Sequence, residues 1–134
     1  MTNSVGLDFG TTNTVATMVN ADGRVEAIRF THDKDVFDAF RSVLCFSEAD
    51  GAGRRTDLTA GPWAIDKFVE LAGDCRFIQS FKTFAASPLF ADTLIYNRRY
   101  RFEDLLASFL QQVRTHAGVE RVEACAGEER GVRL

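Results

Sequence analysis

Two apolar, β-branched runs, Ser4–Phe9 and Thr14–Val19, stand four residues apart, joined only by Gly10-Thr11-Thr12-Asn13. So short a connection can join antiparallel neighbours but not parallel ones, which need a crossover of a dozen or more residues. The chain is therefore expected to open on a hairpin. Asn20-Ala21-Asp22-Gly23 supplies the next turn, with a glycine for a positive-φ position, and residues 24–30 supply a third strand through Val25, Ala27, Ile28 and Phe30. The result is an antiparallel three-strand meander, whose edge stays open unless another element covers it.

Beyond the meander, residues 31–41 are charged and read as irregular, 42–47 read as a short apolar strand, and 50–55, with Gly51 and Gly53, read as a loop. Pro62 suits a first helical position, and Trp63, Ala64, Ile65, Phe68, Val69 and Leu71 form one apolar stripe that Gly73 would end. Residues 76–84 mix apolar and basic side chains around Lys82. An additional hairpin is expected from 93–96 and 99–102 across Asn97-Arg98. The clearest helix spans 103–116, with Leu105, Leu106, Phe109, Leu110 and Val113 on one face. Glu103 and Asp104 at its positive end, and Arg114 and His116 near its negative end, favour the helix dipole. Gly118 would close it. The fold class is α/β, with the meander, a further hairpin and two or more helices. Residues 119–134, VERVEACAGEERGVRL, carry few large apolar groups and are expected to form a weakly ordered, divergent tail rather than a core strand.

Composition narrows the partners. A 46% hydrophobic content with twelve Phe is enough for a buried core, and a formal charge of −3 gives no general attraction for nucleic acid or an anionic membrane. No run approaches the ~18 apolar residues of a membrane span. Cys45, Cys75 and Cys125 are odd in number and form no C-x-x-C, while His32 and His116 lie far apart in sequence, so neither a zinc site nor a disulfide framework is expected. The thiols read as buried or half-buried. With no charged segment and apolar stretch at the start, the expected compartment is the cytoplasm.

The opening loop carries the chemistry. Gly10 lets backbone approach a ligand, successive N–H groups from Gly10 to Asn13 can point at one anion, and the Thr11 and Thr12 hydroxyls add donors. Asp8, ending the strand, would repel a phosphate directly; its natural role is to hold Mg²⁺ through the ion's water shell. The plain alternative is a tight turn whose threonines satisfy it by hydroxyl-to-backbone bonds. By residue type alone, Lys82 reads as a surface lysine. There is no G-x-x-x-x-G-K-[ST] and no G-x-G-x-x-G.

VGLDFGTTNTVATMV resembles the first phosphate loop of the actin-like ATPases, within them the DnaK-type seventy-kilodalton heat-shock chaperones and their divergent bacterial relatives. RSVLCF is similar to the segment after that family's meander, with Arg41 where a proline is usual. FIQSFKTF is similar to the stretch with the catalytic lysine, and YRFEDLLASFLQQV to the helix after the second hairpin. The resemblance covers about residues 4 to 117. It implies an actin-like (ribonuclease H-like) N-terminal lobe over 1–118, with ATP or ADP and Mg²⁺ as cofactors. Gly10, Thr11, Thr12 and Asn13 would contact the β- and γ-phosphates, Asp8 would organise the metal, and Lys82 would reach the γ-phosphate and attacking water. Phosphoryl transfer rests mainly on such positioning and charge neutralisation.

In that family the nucleotide lies between two lobes, and the second phosphate loop, second metal-facing aspartate, adenosine loop and peptide-binding domain come later in the chain. The resemblance therefore implies a truncated product, with pattern and likeness both lost near residue 119, weak nucleotide binding and negligible turnover. Unfolded polypeptide clients and co-chaperones are partners expected of a full-length form. Sugar kinases and bacterial actins of the same superfamily are alternatives, although bacterial actins usually carry Ala at the position of Thr12. A non-catalytic interaction module, self-associating through the open sheet edge, is the alternative from another class.

Overall fold

The computed structural model describes residues 5–49, 55–117, 123–126 and 130–133. Alternation in the first run becomes β1 (Val5–Phe9), with Val5, Leu7 and Phe9 buried and Gly6 and Asp8 on the opposite, exposed face. β2 (Asn13–Val19) pairs antiparallel with it, Val5 opposite Met18 and Phe9 opposite Thr14. Asn20 then organises the turn, its Oδ1 accepting from the N–H groups of Asp22 and Arg24 at 2.9 and 3.0 Å. β3 (Val25–Ala27) returns along β2, so the meander is present.

The segment read as irregular is instead a second hairpin, β4 (Phe30–His32) with β5 (Asp35–Phe37). Asp33, at φ 54°, takes the left-handed turn position that Asp tolerates better than most residues. Its strands are short and largely exposed, so charges conceal them in the sequence. β6 (Phe40–Arg41) follows and pairs with the start of β2, Asn13 opposite Arg41.

A second sheet is built on β7 (Val43–Glu48), whose residues 43–47 are all buried. It is flanked on both sides by antiparallel partners, β8 (Thr56–Ala60) and β9 (Arg76–Gln79). α1 (Gly61–Glu70) begins with Pro62 in its first turn, as its sequence requires. Its end is a Schellman motif: the Gly73 and Ala72 N–H groups donate to the carbonyls of Phe68 and Val69, and both Ala72 (φ 51°) and Gly73 (φ 82°) take positive φ.

α2 (Thr83–Ala86) is a single turn. β10 (Thr93–Ile95) and β11 (Arg98–Tyr100) form the expected additional hairpin, but the turn is Tyr96-Asn97 rather than Asn97-Arg98, with Ile95 opposite Arg98. The Tyr96 hydroxyl donates to the Phe46 carbonyl at 3.1 Å, an anchor that local turn chemistry does not announce. α3 (Phe102–Ala117) buries Leu105, Phe109, Leu110 and Val113. The expected closing Gly118 lies outside the described residues.

The sequence reading of the tail is corrected in one respect. β12 (Glu123–Ala126) runs parallel to β1, with Leu7 opposite Ala124, and β13 (Arg130–Arg133) pairs antiparallel with β12. The first sheet therefore has the order β13-β12-β1-β2-β3, with β6 branching from β2. β12 and β13 lack an apolar pattern of their own in the sequence; backbone pairing with β1 places β12, and pairing with β12 places β13. The fold is mixed α/β, with largely antiparallel sheets and three helices among the described residues.

One aromatic cluster joins the sheets to α3. Phe9 lies 5.2 Å from Phe81 and 5.5 Å from Phe109 between ring centroids, Phe81 lies 5.6 Å from Phe109, and Phe40 lies 5.7 Å from Phe109. Each of these rings is essentially buried. Tilted and edge-on contacts at these distances add about 0.5–1.5 kcal/mol per pair beyond area burial.

Candidate functional site

Phe9 ends β1 immediately before the Gly10–Asn13 loop, and Phe81 immediately precedes Lys82. Contact between those two buried rings draws together two segments that are 72 residues apart in sequence. The loop faces outward: Thr11, Thr12 and Asn13 are exposed, while Thr14 beneath them is fully buried.

The loop is narrower than its sequence suggests. The Gly10 N–H donates to the Asn13 carbonyl at 3.0 Å, so the expected run of four anion-facing amides is corrected to a smaller set. Asn13 already belongs to β2. Among the described residues, the N–H groups of Thr11 and Thr12 donate to no other backbone group. Gly10 is required here by close approach and not by a left-handed φ: a Cβ on it would sit 2.3 Å from the Asn13 carbonyl oxygen. The base of the loop is fixed by the Ser42 N–H, which donates to the Thr12 carbonyl at 2.9 Å, and by a buried 2.8 Å hydrogen bond between the Thr14 and Ser42 hydroxyls.

Thr11 and Thr12 form one side of a cleft of about 170 Å³ whose other lining residues are Arg41, Ser42, Val43, Gln79 and Ser80. That is below the ~300–1,000 Å³ of a drug-sized ligand pocket, so the space admits only a small group. Every polar side chain lining it is a hydroxyl, an amide or a guanidinium, and none is a carboxylate. Ser80 takes φ 55°, a conformation that costs a non-glycine residue about 1–3 kcal/mol and recurs at functional sites. Its carbonyl is held by both the Thr83 hydroxyl (2.7 Å) and the Thr83 N–H (3.1 Å).

Of the residues singled out from sequence, Thr11 and Thr12 line this cleft; Asp8, Gly10, Asn13 and Lys82 do not. Asp8 is exposed on the coreless face of β1, two residues before Gly10, and makes no ion pair among the described residues. Lys82 is half-buried at the start of α2, two residues beyond Ser80, and has no ion pair among the described residues. Arg41, Ser42, Gln79 and Ser80 were not foreseen as site residues. For Arg41 the available signal was its occupation of a position where the resembling family has proline.

Two other groupings appear only in three dimensions. His32 and His116, remote in sequence, meet around Trp63, His116 stacked at 3.5 Å between ring centroids and His32 edge-on at 5.0 Å. His32 Nε2 lies 2.6 Å from Asp66 Oδ2, which ties the β4–β5 hairpin to α1. Burial, and then the nearby His32, hold the His116 imidazole below its ordinary pKa. Cys45 is buried and Cys75 half-buried; burial first, and Cys75 beside it, push the Cys45 thiol up to about 12, which keeps it protonated and unreactive. A wider groove of about 650 Å³ opens towards the other end of β7, bounded by Phe46, Leu58, Tyr100 and Gln111. Arg98 reaches over the Tyr100 ring there at 5.1 Å, but the groove includes none of the residues that the opening loop supplies.

No protein-family model matches the chain, and no curated protein is significantly similar to it. No helix among the described residues is long and apolar enough to cross a membrane.

Proposed function

We propose that the chain binds the phosphates of a magnesium nucleotide through the Thr11–Thr12 bend, as the first phosphate loop of an actin-like, DnaK-type N-terminal lobe. The observation that carries this reading is the Phe9–Phe81 contact, beside which the loop and the Gln79–Ser80 stretch just before Lys82 line one cleft without carboxylates. The sheet supports it as well. β12 lies parallel to and beside β1 and extends the sheet that carries the loop. In this reading Asp8 orients Mg²⁺ through its waters, Lys82 approaches the terminal phosphate, and ATP hydrolysis and chaperone work belong to the assembled two-lobed family architecture.

The loop offers a few charge-assisted bonds, each worth about 1.5–3 kcal/mol, against an association cost of at least about 4 kcal/mol. The expected dissociation constant for Mg-ATP is therefore on the order of 0.1–1 mM. Calorimetric titration of the full chain with ATP, with and without magnesium, and with adenosine as control, tests this. Binding should require the phosphates, strengthen with magnesium and lose that magnesium dependence in Asp8→Ala. Equal affinity for adenosine and ATP would overturn the assignment.

A second reading, an interaction module, draws on the exposed Val19 and Val25 along the β2–β3 edge and on Phe68 and Val69 on α1. A discrete oligomer in sedimentation, without any nucleotide response, would favour it.

A further inference from the structure

Arg41 stands at the junction of β6 and β7, and its backbone is held on both sides. Phe40 before it is fully buried against Phe30 and Phe109, and Ser42 after it is tied to Thr12 and Thr14. Strand alternation then turns the Arg41 side chain outward, into the cleft that Thr11, Thr12, Gln79 and Ser80 line. Its guanidinium makes no ion pair among the described residues. A guanidinium offers five fixed donors that match a phosphate in pairs and is always charged, whereas proline at this position would offer neither charge nor donor.

We propose that Arg41 is an anion ligand of this cleft, binding a terminal tetrahedral phosphoryl group together with the free N–H groups of Thr11 and Thr12. The inference rests on the phosphate-loop reading and adds to it a cation that the family resemblance does not supply. The site's specificity is then for a doubly charged oxyanion, with the guanidinium adding to the neutralisation that Mg²⁺ and Lys82 provide in that reading. Pyrophosphate, which carries the charge without the nucleoside, is the discriminating probe.

The experiment compares wild type, Arg41→Lys, Arg41→Gln and Arg41→Pro for binding of pyrophosphate and of Mg-ATP, at two ionic strengths. Arg41→Gln keeps the unbranched stem and a polar, though nearer, end, so it removes the charge without disturbing the strand; circular dichroism checks each variant's fold. Pyrophosphate affinity is expected to fall ~10–100-fold in Arg41→Gln, in keeping with one charge-assisted pair, and to recover partly in Arg41→Lys. Salt should weaken the wild type more than Arg41→Gln. Wild-type affinity for both ligands retained in Arg41→Gln overturns the role of Arg41 and leaves the phosphate loop standing. A wild type that binds neither pyrophosphate nor Mg-ATP overturns both.

Discussion

Gly10→Ala places the strongest demand on the structure. The added Cβ falls 2.3 Å from the Asn13 carbonyl oxygen, below the 3.0 Å that real Cβ contacts respect, so the two backbone segments must part by about 0.7 Å. The obstacle is main chain and cannot rotate away. Parting breaks or lengthens the 3.0 Å Gly10-to-Asn13 hydrogen bond, at about 1 kcal/mol, and strains a closely packed turn by about 1–3 kcal/mol. Alanine's smaller unfolded-state entropy returns about 0.4–1 kcal/mol. A net loss of about 1–3 kcal/mol follows, appreciable against a domain stability of about 5–15 kcal/mol. Gly23→Ala is the control: it too sits in a hairpin turn, at φ 78°, but nothing lies within 4 Å of its added Cβ. It should lose about 1–2 kcal/mol through its left-handed backbone alone and leave phosphate binding untouched. Urea denaturation gives the stabilities, and pyrophosphate titration reads the loop. A Gly10→Ala protein that binds pyrophosphate as wild type does would refute the claim that this turn sets the Thr11 and Thr12 amides.

Acid should weaken the fold through His116, whose folded pKa lies below its unfolded value near 6.5. Between the two values the unfolded chain holds more protons, so this contribution is whole above about pH 6.5 and is lost as pH falls through the folded pKa. Urea midpoints followed by the fluorescence of Trp63, on which His116 stacks, should fall across that window in wild type and fall less in His116→Gln. At the loop base, Thr14→Val leaves the buried Ser42 hydroxyl unpartnered at a cost of about 1–3 kcal/mol. Adding Ser42→Ala should cost less than the two single changes summed, as a denaturation double-mutant cycle would show.

Local rules accounted for the elements whose causes are local. The β1–β2 hairpin follows from a four-residue link, α3 from an apolar stripe with charges matched to its dipole, and α1 from Pro62 at its start. β8 was missed because Thr56–Ala60 has no alternation of large apolar groups; it is a strand because β7 offers it a ladder from Leu44 to Glu48. The β4–β5 hairpin was missed because His32, Asp33, Lys34 and Asp35 put charge around a two-residue turn. β12 depends on a parallel register with residues more than a hundred positions earlier, which no window of sequence displays. The site divides in the same way. Thr11 and Thr12 were legible as a motif, whereas Arg41 and Ser80 belong to the cleft only because β6 pairs with β2 and Phe81 packs on Phe9.

That last contact explains how a site with so little polar framework holds a shape. The two cleft walls rise from different sheets, and an exposed loop on either would drift if polar bonds alone joined them, since surface charge pairs contribute only about 0–1 kcal/mol each. Here the joining is apolar and lies one residue away on each side: Phe9 behind Gly10, Phe81 behind Lys82, and Phe109 of α3 touching both rings. Burial of a ring is worth about 1.5–3 kcal/mol, so three mutually packed rings outweigh the strain held at Ser80. The Thr11 and Thr12 N–H groups, which donate to no other backbone group among the described residues, and the Arg41 guanidinium, which makes no ion pair among them, stand on the walls that this core holds in place.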